Sequence, residues 1–398
     1  MSLDFQQVQD QVRQLGETAL ERQRDLDEKQ ELANRLLEKF ARQFDFLQQR
    51  VAQAAHNDPT LRCALPLSPE VAAPEALNAA YPTPPLPRKA TILAADGSQI
   101  SPDRHAEVQY CLINVGTIQM NLNSAEPPRP IIFSKLLYNQ ELFTTHGMIT
   151  DATLALMRDT NERTRLADLT ENLEKPVITF TDGQMELMVS AGEESTTGFQ
   201  KYLEDYRLAL KRLYRQGVIV SGYLEKPFSS PLTRLLEVAS ASDEDLAKIR
   251  DHHPLQGVMD FEIFSTLLKP GERSAIFSLR SPSAKFYKDE LALHFFYLNV
   301  GRPGRHWVAR IDIPAWVARD ADQVDVLQAV LIDQCRIMGG RFYPYLLHRA
   351  HETAVVTLED KEQVTQMIVL ELRRRGAAVG ERSQKQEAKE TAGRTRYK

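Results

Sequence analysis

Two short apolar stretches of this chain end the same way. Ala90-Thr-Ile-Leu-Ala-Ala runs into Asp96-Gly97, and Val177-Ile-Thr-Phe-Thr runs into Asp182-Gly183. Each reads as a buried strand followed by a glycine that lets the backbone turn sharply and a metal ion or phosphate come close. If the two strands are neighbours in one sheet, both carboxylates emerge at the same edge. Cleavage of a phosphodiester by two metal ions needs such converging carboxylates, because the ions clamp both the attacking and the leaving oxygen. Asp-Gly also makes ordinary turns, and neither pair decides between the readings by itself.

Other candidates lie around these two. The segment from Thr150 to Glu174 is predicted helical and carries Leu166, Leu169 and Leu173 on one stripe, which Glu162 extends by one turn. A carboxylate on that inward face must be paired or metal-bound to be tolerated. Asp159 and Asp168 fall on other faces of the same helix and read as solvated. His351, after Tyr343-Pro-Tyr-Leu-Leu-His-Arg-Ala, is either a ligand or an ordinary hydrogen-bonded histidine, with His348 one turn earlier as a competitor. Lys226, Ser229 and Arg234 follow a strand and mix cations with hydroxyls, which suits phosphate oxygens. The same stretch also reads as a capped helix start at Ser229 or Ser230. Neither GxxxxGK[ST] nor GxGxxG occurs, so an ATP-driven step would need another protein.

Elements must hold these groups in place. Apolar residues at Phe5, Val8, Val12, Leu15 and Ala19, and again at Ala33, Leu37, Phe40, Phe44, Leu47, Val51 and Ala54, step by three and four. They predict one or two amphipathic helices over residues 1–58, packing within the monomer or against a partner. Seven prolines between Pro66 and Pro87 can sustain neither a helix nor a central strand, so residues 59–88 read as a linker. The body, residues 89–375, starts with strands (about 90–95, 106–122 and 130–134). Helices at about 150–174 and 197–216 then alternate with strands at about 177–182 and 218–224. Further strands near 274–279, 294–300 and 307–313 precede helices near 321–338 and 360–375. A meander followed by alternation predicts an α/β fold, a mixed sheet covered by helices.

Composition narrows the class. With 398 residues, 42% of them hydrophobic, the chain can bury a large core. The net charge of −5 excludes a surface coated in positive charge, though not a local basic channel. Arg373 to Lys398 holds nine Lys/Arg against three Glu, so residues 376–398 read as a basic, flexible tail that either touches nucleic acid or is merely solvated. Cys63, Cys111 and Cys335 lack CxxC spacing and suggest buried thiols rather than disulfides or zinc. A polar start and the lack of any long apolar run point to a cytoplasmic protein with no membrane contact.

Taken in order, seven stretches carry a family resemblance: AADGSQI at 94–100, NERTRLADL at 161–169, TFTDGQMEL at 179–187, YLEKPFSSPL at 223–232, HFFYLNVG at 294–301, VARIDIPAWV at 308–317 and YPYLLHRAHETAVV at 343–356. Over about residues 88–375 the chain resembles the NurA nucleases. The resemblance implies an RNase H-like fold and Mn²⁺-dependent cleavage of DNA (Mg²⁺ as the alternative, two ions), with single-strand endonuclease and 5′-to-3′ exonuclease activity. It also implies a homodimer that docks to the hexameric ATPase HerA in DNA end resection and repair. By motif position it puts the metal-binding acids on Asp96, Glu162 and Asp182, the lysine of the site on Lys226 and the C-terminal histidine ligand on His351. One departure is Asp182-Gly183-Gln184, where the family pattern would have Asp-Gly-Ser. Other readings are an inactive DNA-binding or adaptor subunit of a HerA-type complex, and a small-substrate hydrolase using the same metals.

Overall fold

The computed structural model describes residues 3–103, 106–144, 147–187 and 197–380. Two helices open it, α1 (Phe5–Phe40) and α2 (Phe44–Asn57). Asp4 caps α1 by accepting the backbone N–H groups of Gln6 and Gln7. The expected stripe is buried only from Ala33 onward, through Leu36, Leu37 and Phe40 to Leu47, Val51 and Ala54, whereas Phe5, Val8, Val12 and Leu15 stay exposed. The proline-dense segment is more than a linker. It carries β1 (Cys63–Pro66) and β2 (Ala80–Tyr81), two short strands that each pair along one side only. Proline, lacking an N–H, is tolerated on such edges.

The chain continues through β3 (Thr91–Ile100), β4 (Cys111–Asn121) and β5 (Arg129–Leu137) to a small hairpin, β6 (Phe143–Thr144) and β7 (Gly147–Met148). Helix α3 (Asp151–Leu169), β8 (Val177–Asp182), α4 (Thr197–Arg215) and β9 (Ile219–Leu224) follow. Next come α5 (Pro231–Ser240), α6 (Asp243–Ala247) and α7 (Asp260–Leu267). Then come β10 (Arg273–Ser274), β11 (Phe277–Arg280), β12 (Leu293–Asn299) and β13 (Val308–Pro314). The last helices are α8 (Ala315–Ala318), α9 (Ala321–Ile337), α10 (Tyr345–Ala354) and α11 (Leu358–Arg374). The expected helix and strand positions reappear within a few residues, and α6, α7, α8 and α10 are helices beyond those expected. Residues 381–398, most of the expected basic tail, lie outside the described residues.

The elements form two compact units. The first takes residues up to 87, 183–185 and 221–344. In it β1, β11, β12, β13 and Gly222–Leu224 of β9 pair antiparallel in that order. Buried Asp260, at the start of α7, accepts from the N–H groups of Leu232 and Thr233 at 2.8 Å each and from the Tyr297 hydroxyl at 2.6 Å. It therefore caps α5 from outside that helix.

The second unit takes residues 88–182, 186–220 and those from 345 on. Here β5, β4 and β3 form an antiparallel meander, α3 follows, and β8 returns parallel to β3. Meander, helix and parallel return make the mixed, helix-covered sheet expected from the sequence. Ile92, Leu93, Ala94 and Ala95 of β3 are buried on both faces, as a strand covered by helices on each side requires. All three cysteines are free and buried, and burial pushes the Cys63 thiol up to about 12. Among the described residues no helix is long and apolar enough to cross a membrane.

Candidate active site

Asp96 and Asp182 come together through strand order. β3 and β8 run parallel, with Ala95 beside Thr181, so the next residue of each strand is the aspartate. Asp182 closes β8, and Gly183 behind it adopts a φ of 86°, the turn expected. Asp96-Gly97 makes no turn. β3 continues through it to Ile100, with Asp96 paired to Gly116 and Gly97 to Val115 on β4.

The glycine at 97 has a different reason. A Cβ there would stand 2.5 Å from Cγ of Arg158 and 2.7 Å from Oε1 of Glu162, so its absence lets α3 lie against the strand. Gly116 does the same for α10, because a Cβ there would meet Ala354 N at 2.6 Å and the Ala350 carbonyl at 2.7 Å. The end of α10 is also anchored. Asn114 Nδ2 donates to the Ala354 carbonyl at 2.8 Å, and the Ser98 hydroxyl donates to it as well, satisfying an acceptor that the helix leaves open.

This docking carries His351 to the site. Its Nδ1 lies 2.7 Å from Oδ2 of Asp96, whose Oδ1 accepts the Gly97 N–H at 2.9 Å. His348, the competitor one turn earlier, faces Glu352 at 3.5 Å instead. Because cross-strand partners share a face and neighbours along a strand alternate, Asp96 shares the α10 face with Gly116, while Gly97 faces α3.

Glu162 is buried as its stripe predicted, at 6% exposure. Burial pushes its carboxyl well above the ordinary range, helped by the charges of Asp159 and Asp96, while Arg158 and Arg163 pull the other way. Arg158 donates to Asp159 Oδ1 from Nε at 3.1 Å and from NH2 at 2.9 Å, and its Nε sits 3.7 Å from Glu162 Oε1. Arg163 is fully buried and hydrogen-bonds Tyr206. Sequence reasoning passed over both arginines. The signal was available for Arg158, which stands four residues before Glu162 and so shares its side of the helix. Asp159 and Asp168 both keep about a third or more of their side chains exposed, 40% and 35%, as expected, and each is held by arginine: Asp159 by Arg158, Asp168 by Arg165 and Arg212.

Among the described residues no three His, Cys, Asp or Glu side chains stand together as a ready metal cage. Asp159, Glu162 and Asp96 act instead on the Arg158 guanidinium, Asp159 most strongly of the three. The donors themselves, hard carboxylate oxygens and one imidazole, fit Mn²⁺ or Mg²⁺, and the buried carboxylate of Glu162 is one that a cation would stabilise in its charged form.

The three residues expected to hold phosphate belong to the first unit. Lys226 Nζ lies 5.1 Å from the Trp307 ring centroid. The Ser229 hydroxyl accepts from Arg310 NH1 at 3.2 Å. Arg234 is otherwise employed. Its side chain, 12% exposed, pairs with Glu237 Oε2 at 2.6 Å and donates to the carbonyls of His252 and Ile249. That network uses the guanidinium to tie α5 to the loop after α6.

The family model of the NurA domain matches residues 90–356. No curated protein matches the chain. The chain is similar to the crystal structure of the NurA nuclease from Sulfolobus solfataricus, at 13% identity over 74% of this chain and 87% of that one, with a TM-score of 0.45. It is also similar to a crystal structure of NurA with manganese (11% identity, 71% and 90% covered, TM-score 0.35) and to the catalytic domain of human Endonuclease V (10%, 70% and 84%, TM-score 0.30).

Proposed function

The chain belongs to the NurA family, and from that premise we propose that it is a metal-dependent DNA nuclease that cuts single strands internally and degrades them from 5′ to 3′. The observation that carries the reading is the parallel pairing of β3 and β8, whose register runs to Ala95 beside Thr181 and so brings Asp96, within β3, next to Asp182, the last residue of β8. Asp96, Glu162, Asp182 and His351 would hold two Mn²⁺ ions, with Mg²⁺ as a substitute. When bound, such ions polarise the phosphoryl oxygen and generate hydroxide at neutral pH. The chain's own residues do the rest. Asp96 holds the His351 ring through Nδ1, which leaves Nε2 as the free ring nitrogen. Lys226 and Ser229 offer a cation and a hydroxyl to the phosphates of the substrate.

The protein acts in this reading as a cytoplasmic homodimer working with the HerA hexameric ATPase in DNA end resection and repair. Support for a motor partner comes from the chain itself, which has no phosphate-binding loop, while separating a duplex costs roughly 1.4 kcal/mol of stacking per base-pair step. The test is direct. Purified protein is incubated with end-labelled single-stranded DNA with and without Mn²⁺, alongside Asp96→Ala. Cleavage by the wild type only, and only with metal, is expected. DNA binding without any cleavage would favour the adaptor reading.

A further inference from the structure

A groove of about 490 Å³ in the first unit is not used by the acidic cluster described above. Glu225, Lys226, Phe228, Phe261, His306 and Trp307 line it. Its character is aromatic and basic. Phe228 is 76% exposed, far more than a phenylalanine serving only the core would be. The hairpin joining β12 to β13, Val300-Gly-Arg-Pro-Gly-Arg-His-Trp307, carries Arg302 and Arg305 and no acid. These two arginines bond each other's backbone, N–H to carbonyl, at 2.9 Å in both directions, which fixes the tip. Their guanidinium carbons lie 5.9 and 4.9 Å from the Phe342 ring, and that ring is 5.8 Å from Trp307. Lys226 Nζ lies 5.1 Å from the centroid of the same indole.

Two polar groups are prepared rather than spent. Asn299 Oδ1 accepts from the N–H groups of Gly301 and Trp307, so its Nδ2 must be the donor to His306 Nδ1 at 2.9 Å. The His306 ring then keeps its proton on Nε2 when neutral. The indole N–H of Trp307 is enclosed and has no acceptor among the described residues. An enclosed donor without a partner is costly unless something supplies the acceptor.

We propose that this groove is a stacking subsite for the unpaired bases of a single DNA strand, with Phe228 and Trp307 as platforms and Lys226, Arg302 and Arg305 along the phosphates. The inference rests on the reading of the chain as a DNA nuclease. Aromatic faces alternating with cations match a single strand because every base has a π-face and every linkage a negative charge. A duplex keeps its base faces stacked on each other and cannot use the platforms. Glu225 is the one acid in the lining, and it disfavours a polyanion packed against that wall.

The full-length protein is titrated in EDTA, so that nothing is cut, with a labelled oligothymidylate and with an abasic strand of the same length. Anisotropy should show the oligothymidylate binding more tightly on the order of tenfold. Phe228→Ala should remove most of that difference while leaving abasic binding nearly unchanged, and Phe228→Trp should restore it. Intrinsic fluorescence should be quenched by the oligothymidylate and not by the abasic strand, because Trp307 is the accessible one of the two tryptophans and Trp316 is only 4% exposed. Equal affinity for both strands, or an unaltered preference in Phe228→Ala, overturns the proposal. Failure of the wild type to bind either strand does so too, and leaves the groove to a protein partner. The two readings separate cleanly. A protein that binds bases this way yet never cuts with Mn²⁺ defeats the nuclease reading alone, and one that cuts without base-dependent binding defeats the groove alone.

Discussion

Nδ1 of His351 lies 2.7 Å from Oδ2 of Asp96, 255 positions away in the chain. Nothing local joins them; the contact exists because Gly116, Asn114 and Ser98 seat α10 on the strands that carry Asp96. If the carboxylate orients the imidazole, His351→Asn should slow single-turnover cleavage of single-stranded DNA roughly 10–100-fold at saturating Mn²⁺. Asp96→Ala should be at least as damaging. The double variant should be no slower than the worse single one, since the two act as a unit. Losses that multiply would show that the residues work independently.

Glu162→Gln should abolish metal-dependent cleavage and yet stabilise the metal-free protein at neutral pH. The sign follows from the raised carboxyl. A group whose folded pKa lies above its unfolded value stabilises fully below the unfolded value, about 4.3, and loses that contribution as the pH rises through the folded one. In EDTA, thermal melting of the wild type should therefore fall relative to Glu162→Gln as the pH is raised from about 5 to 8. Parallel melting curves across that range would mean that Glu162 carries no such penalty.

Arg158 occupies the position of a resident counter-charge among Asp159, Glu162 and Asp96. Arg158→Met should then bind Mn²⁺ more tightly, on the order of tenfold, because one positive charge no longer opposes the ion. Titration calorimetry decides this. Weaker binding in the variant would assign Arg158 to holding the carboxylates in position rather than competing for them.

Gly97→Ala should cost about 1–3 kcal/mol of stability and most of the activity, because the added methyl must displace Arg158 and Glu162. Chemical denaturation and the cleavage assay report the two effects separately. Full activity with native stability would show that α3 can move away from β3 at no cost.

Removing residues 1–24 should leave the melting temperature within a few degrees of the wild type, since the buried part of α1 begins at Ala33. The deleted stretch takes with it exposed Phe5, Val8, Val12 and Leu15. Loss of the proposed dimer in light scattering, or of the proposed HerA contact in a pull-down, would identify the stripe as a contact surface. If both survive, the stripe serves neither association.

The secondary structure of the body was largely present in the sequence because it is written in local periodicity. Alternation and apolar runs marked β3, β8, β12 and β13, and the three-and-four spacing of Leu166, Leu169 and Leu173 placed Glu162 on the buried side of α3. The candidate acids could be named for the same reason, as polar residues at the ends or on the inner faces of apolar elements. What the sequence could not contain was distance. That β8 lies beside β3, that the histidine at 351 rather than 348 meets Asp96, and that the two strand-end dipeptides differ, one a turn and one a seat for α3, all depend on pairings between segments far apart in the chain. Packing also reassigned residues whose types were suggestive. Arg234 has the chemistry of a phosphate ligand, but its guanidinium is surrounded by Glu237 and backbone carbonyls, and a buried cation must be satisfied where it stands. Proline spacing between 66 and 87 announced a linker, yet edge strands tolerate proline, and only the partners β10 and β11 turn that segment into part of a sheet.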